Sequence, residues 1–155
     1  MSGKYIEEDK TITCSVSNDC GGCCYTKVPY DKTLSLKQKH VTELFRGVAE
    51  CEKITGMYRP VCYRNKVHAA VGTNRDGRII TGTYKEGTHK IIPADGCMIE
   101  DAQSENILKE LRRLFQSFKY QPYNEDTKRG FIRHVLIRRG SVSYTHLRAH
   151  ETLAN

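Results

Sequence analysis

Apolar residues recur along this chain with two different periods, and the change of period divides it into elements. Between residues 31 and 51, Leu34, Val41, Phe45 and Val48 share one side of a helical wheel, while Lys37, Lys39 and Glu43 lie elsewhere. This is the spacing of an amphipathic helix. Asp31 is placed to cap it, and Ser35 with Gln38 offers a rival capping box. Residues 101–118 repeat the pattern, with Asp101 at the cap position and Ile107, Leu111, Leu114 and Phe118 as the apolar stripe. Between these helices, β-formers fill residues 61–72 and 78–84. Asn74-Arg75-Asp76-Gly77 separates them, and its Asp-Gly pair signals a hairpin. Glu86-Gly87 marks a second turn into a strand at 88–92, and residues 131–139 read as a last strand after a polar loop. The predicted class is α+β: an antiparallel β-meander with two flanking helices.

Both ends of the chain escape this pattern. Residues 11–26 are rich in cysteine and glycine and poor in apolar side chains, so something must crosslink them. Residues 141–155 show no period, and the run Ser143-Tyr144-Thr145-His146-Leu147-Arg148-Ala149-His150-Glu151-Thr152 resembles translated sequencing adapter. The tail is therefore read as non-native, which sets aside His146 and His150 despite their ligand-like spacing. The expected domain is residues 1–140, within a chain of 155 that is long enough to bury one core.

Charge narrows the partners. The net charge is +7 and the pI about 9.1, which favours RNA or DNA over an acidic small substrate. No apolar run approaches the ~20 residues that cross a bilayer. Residues 1–10 lack the form of a signal peptide, so a cytoplasmic location is expected. Neither a membrane nor an obligate protein partner is implied.

Seven cysteines in a chain of this kind point to metal or redox chemistry, because the cytosol keeps thiols reduced. Cys20 and Cys23 flank Gly21-Gly22, Cys14 is separated from Cys20 by five residues, and Cys97 follows the meander. Four thiolates from a tight loop and one distant element can close a site. The glycines would allow the sharp turn such a loop needs. Spacing alone leaves three readings open: an iron–sulfur cluster, a structural zinc, and a thiol redox pair. Cys51 and Cys62 are expected to be small buried hydrophobes, and Cys24 a bystander of the loop.

Taken with their neighbours, these cysteines resemble the iron–sulfur RNA uracil-C5 methyltransferases, a family that includes the 23S ribosomal RNA uracil methyltransferases. The carriers are Cys14-x5-Cys20-Gly21-Gly22-Cys23, Tyr63-Arg64-Asn65-Lys66, Gly82-Thr83-Tyr84-Lys85 with Thr88-His89, Cys97-Met98-Ile99-Glu100-Asp101, and Gly130-Phe131-Ile132-Arg133-His134-Val135. They follow one another in register across most of residues 11–140.

The resemblance implies a 4Fe-4S cluster held by Cys14, Cys20, Cys23 and Cys97, in a central domain that also contacts RNA. The RNA-binding residues it suggests are Arg64, Asn65, Lys66, Lys85, His89, Phe131, Arg133 and His134. It further implies a C-terminal Rossmann-like domain using S-adenosylmethionine. There a cysteine thiolate adds to uracil C6, C5 takes the methyl group, and a base removes the C5 proton. That domain is expected to be missing here, since no Gly-rich cofactor turn and no catalytic cysteine can be found. S-adenosylmethionine would then belong only to the full-length parent, and this chain would be inactive alone. The family's N-terminal RNA-binding barrel is likewise expected to be missing. The rivals are a zinc-stabilised RNA-binding module and a small electron-transfer iron–sulfur protein.

Overall fold

The computed structural model describes residues 4–8 and 10–140. The adapter-like tail lies outside the described residues. The elements run β1 (Lys4–Ile6), β2 (Thr11–Thr13), α1 (Tyr30–Leu44), β3 (Lys66–Thr73), β4 (Ile79–Tyr84), β5 (Ile91–Pro93), α2 (Ala102–Ser117) and β6 (His134–Arg138). The predicted meander is present as β3–β4–β5. β6 adds to its other edge, giving a four-stranded antiparallel sheet ordered β5-β4-β3-β6. The hairpin of β1 and β2 forms a separate two-stranded sheet that the periodicity did not reveal.

Alternation along β3 sets the core. Val67, Ala69 and Val71 are buried on one side, where Val67 and Ala69 cluster with Leu108 of α2 and Ile137 of β6. The other side carries His68 and, on paired strands, His134 and Leu136. No described helix covers it. The Asn74–Gly77 turn is held as expected: the Asn74 side-chain oxygen accepts from the backbone N–H of Asp76 and of Arg78.

Three expectations need correction. The strand predicted from residue 61 begins at Lys66, because residues 62–64 pair instead with 98–101. Cys62 N–H donates to Met98 O at 2.9 Å and Arg64 N–H to Ile99 O at 2.8 Å. Cys62, with a positive φ of 53°, is exposed and not a buried hydrophobe. The strand predicted from residue 131 begins at His134, since Phe131 and Ile132 bond back to Gln121.

The first helix is shorter and barer than its pattern suggests. It ends at Leu44, with Gly47 at φ 78° just beyond. Its cap is Pro29, with no side-chain cap bond, while the Ser35 hydroxyl bonds back to the Asp31 carbonyl. Thr33 is its buried residue, and Val41, Phe45 and Val48 lie exposed. Gln38 ties α1 to the following segment by accepting from Ile54 N–H at 2.6 Å and donating to Glu52 O. In α2 the cap is as expected, Asp101 accepting from Ser104 N–H at 3.0 Å. The face turned to the sheet differs: Ser104 and Leu108 are buried, while Ile107, Leu114 and Phe118 are exposed.

Candidate functional site

The cysteine loop is assembled from its backbone outward. β2 ends at Thr13 and delivers Cys14 directly. The chain then folds into tight turns, with Ser17 N–H bonded to Cys14 O and Cys20 N–H to Val16 O. Lys27 N–H returns to Ile12 O at 3.0 Å and closes the loop on β2. Outside it, the Lys85 ammonium meets Asp19 at 2.6 Å and fastens the loop to the turn after β4. That hydrogen bond holds the Asp19 carboxyl below the usual carboxylate range.

Glycine acts here differently from the expectation. Neither Gly21 nor Gly22 takes a positive φ. Gly21 instead makes room, because a Cβ there would stand 3.3 Å from the Tyr84 carbonyl oxygen. The positive φ falls across the site at Gly96, 72°, which turns the chain into Cys97. The pairing of residues 98–101 with 62–64 then fixes this segment beside Arg64.

Cys14, Cys20, Cys23 and Cys97 line one cavity of about 40 Å³, together with Thr26, Arg64 and Glu100. Burial pushes the Cys97 thiol up, and likewise that of Cys23 despite the exposure of the residue as a whole. An approaching cation would reverse that tendency, since metal-bound thiols are deprotonated. Among the described residues, no three His, Cys, Asp or Glu side chains converge closely enough to hold a single ion. A tetrahedral zinc would need its thiolates ~3.8 Å apart, given zinc–sulfur bonds of ~2.3 Å. Four thiols lining one cavity are the donor set of such a zinc site or of an iron–sulfur cluster.

The residues expected to face RNA fall into three groups. Arg64 is drawn into the cysteine cavity, where its guanidinium donates to Gly22 O at 3.5 Å and faces Glu100. Burial pushes the Glu100 carboxyl up, and Arg64 opposes this. Arg64 and Lys66 therefore do not present one surface, although Asn65 and Lys66 remain exposed.

Lys85 and Arg133 are engaged in ion pairs, and His89 in a hydrogen bond to a carboxylate. Lys85 holds Asp19, as described, and His89 Nδ1 lies 2.8 Å from Asp126. Arg133 grips Glu125 through two bonds, at 2.6 and 2.9 Å. The Glu125 carboxyl also accepts from the Tyr84 hydroxyl, and the Arg133 bonds hold it below its ordinary range. This network escaped the sequence reading. Its only signal was an acidic pair, Glu125-Asp126, lodged in an otherwise basic stretch.

His134 and Phe131 sit on surfaces. The His134 ring lies 4.6 Å from that of His68 and meets Tyr84 edge-on at 6.1 Å. Burial, then His68, pushes its pKa down, so it favours the neutral form. Phe131 is 77% exposed and packs its ring 5.5 Å from Tyr120.

No family model matches the chain. Among curated proteins, it is 33% identical over 139 residues to an uncharacterised RNA methyltransferase of Bacillus cereus, covering 86% of this chain and 30% of that protein. It is 36% identical over 132 residues to one from Halalkalibacterium halodurans, covering 82% and 29%. Its fold is similar to that of a solved structure, the Pyrococcus abyssi tRNA (uracil-54, C5)-methyltransferase in complex with S-adenosyl-L-homocysteine. The TM-score is 0.64 at 20% identity, over 89% of this chain and 34% of that one. In keeping with the motif resemblance, the chain belongs with the RNA methyltransferases, of which it spans about 30% of the length of the curated relatives it matches.

Proposed function

We propose that residues 4–140 form the cluster-bearing, RNA-gripping part of an S-adenosylmethionine-dependent RNA (uracil-C5) methyltransferase of the cytoplasm, with ribosomal RNA as substrate. The observation that carries this reading is the single cavity lined by Cys14, Cys20, Cys23 and Cys97 in a chain related to RNA methyltransferases. Those four thiolates would hold a 4Fe-4S cluster. When bound, it would supply a crosslink between the loop after β2 and the segment before α2, two stretches with little apolar burial of their own.

The chain's own groups do the rest. Arg64 sets a positive charge beside Cys23 and favours the ionised form of its thiol. Lys85 and Asp19 keep the loop seated against the sheet, and Arg133 with Glu125 pins the loop that follows α2. Basic side chains left on the surface give RNA affinity of a salt-dependent kind. Methyl transfer needs a nucleophile for C6 and a cofactor turn, and none of these residues is placed to serve as either.

The reading is tested with the anaerobically purified chain, ribosomal RNA and S-adenosylmethionine labelled in its methyl group. The expected result is RNA binding that weakens steeply with salt, and no label in the RNA. Label transferred by this chain alone, or no RNA binding at low salt, would overturn the reading.

A further inference from the structure

The uncovered side of the four-stranded sheet faces a groove of about 720 Å³, within the size range of ligand clefts, roughly 300–1,000 Å³. Its floor is the sheet itself, through Gly72, Ile80, Tyr84 and Ile91, and its far wall is the loop that carries Pro122 and Tyr123. That loop does not close against the sheet. It is propped there by the bonds from Arg133 and Tyr84 to Glu125 and by the His89–Asp126 pair.

We propose that this groove holds single-stranded RNA, with an unstacked base against Tyr84 and Tyr123 and flanking phosphates on Arg75 and Arg129. The proposal deepens the RNA reading above and rests on it. Three features argue for this occupant.

The first is charge. Of the two carboxylates of the groove, Glu125 is already ion-paired with Arg133 and Asp126 is hydrogen-bonded to the His89 ring. Arg75 and Arg129 line the groove with no ion pair among the described residues, one on the β3–β4 turn and one on the opposing loop. Cations at both rims suit a chain carrying a phosphate on either side of its base.

The second is the ring surface. Tyr84 continues through His134 to His68, a row of three rings running across β4, β6 and β3 on the same side of the sheet. Beside it, Leu136 is 52% exposed, and Lys66 pairs with Arg138 at the strand ends. Flat rings on an open antiparallel sheet stack bases without demanding a sequence. The neutral state favoured at His134 keeps that row from repelling itself.

The third is shape. A groove with a propped wall and an open mouth admits a splayed strand. Duplex RNA keeps its bases paired inside and offers nothing to insert.

The test is fluorescence anisotropy with a labelled oligouridylate of about ten nucleotides, within the span one binding sheet covers, and a duplex RNA of matching length, on the whole anaerobically purified chain. Replacing both cations, Arg75→Gln with Arg129→Gln, is expected to weaken binding and to lower the slope of log affinity against log salt by about 1.4, at about 0.7 per phosphate contact on a single strand. Tyr84→Leu is expected to lose about 5- to 150-fold in affinity. Tyr84→Phe keeps the ring but removes the bond to Glu125, and should stay near the parent. Arg113→Gln, on α2 behind the sheet, should change nothing.

If the parent binds the oligonucleotide and all groove variants bind equally well, the groove proposal fails while the broader RNA reading stands. That result is also what a groove built for an extended peptide would give. Duplex bound as tightly as single strand would overturn the single-strand assignment. Loss of affinity in Tyr84→Phe equal to that in Tyr84→Leu would make the residue a structural prop and sink the stacking role.

Discussion

Glu125 shows how much one side chain on a loop can organise. It receives two bonds from Arg133 and one from Tyr84, so the loop after α2 is tied to β4 and to the approach of β6. The Arg133 bonds keep its folded pKa below the ordinary carboxylate value, while the unfolded chain titrates at that value. The stabilisation is therefore fully present above the ordinary range and is lost as pH falls through the lowered one. Thermal melts from about pH 7 to about pH 3 should show Glu125→Gln less stable at neutrality and less sensitive to acid than the parent. Equal acid sensitivity would mean that the pair contributes nothing. The acidic pair Glu125-Asp126 marked the spot in the sequence but not its partner, because Arg133 and Glu125 meet only once the intervening loop has closed. Asp101 was legible for the opposite reason, its cap bond to Ser104 reaching just three residues along the chain. Its ion pair with Arg139, 38 residues further along, was not.

At the scale of elements, α2 separates what period can tell from what it cannot. Its extent and cap were readable, whereas its buried face was not. Its apolar residues fill one side of the wheel, with Ile107, Leu114 and Phe118 towards one edge of that side and Leu108 at the other, so the period alone does not say which edge meets the sheet. The sheet selects Ser104 and Leu108, and Gln116 on the same helix accepts from Ile79 N–H at 2.9 Å. Leu108→Ala should cost about 2–5 kcal/mol in urea unfolding, as truncation in a packed core does. Ile107→Ala should stay within about 0.5 kcal/mol, as expected of an exposed site. Similar losses at the two positions would place the core on the wrong face. The strands show a related limit. Their interiors were legible from β-branched runs, but the starts of β3 and β6 were not, because residues 62–64 and 131–132 pair with segments distant in sequence. The β1–β2 hairpin left only two three-residue runs, too short to raise a period.

The molecule as a whole joins a compact sheet-and-helix core to a cysteine loop with almost no apolar anchor. Residues 14–29 contain no helix or strand. They are held by backbone turns, one return bond to β2, the bond from Arg64 to Gly22 O and the Lys85–Asp19 pair. An exposed ion pair of that kind contributes little. A crosslink across the cavity would supply what the loop lacks. The four cysteines that line the cavity were legible as a group from their spacing, which left iron–sulfur, zinc and redox readings open. How Cys97 reaches the loop was not, since it depends on the turn at Gly96 and on the pairing of 98–101 with 62–64. The most direct measurement is iron, acid-labile sulfide and zinc per chain after anaerobic purification, for the parent and for Cys97→Ser. The account expects a brown protein with about four irons and four sulfides, and a Cys97→Ser variant that loses most of both. A colourless, zinc-loaded parent, or iron retained in full without Cys97, would contradict it.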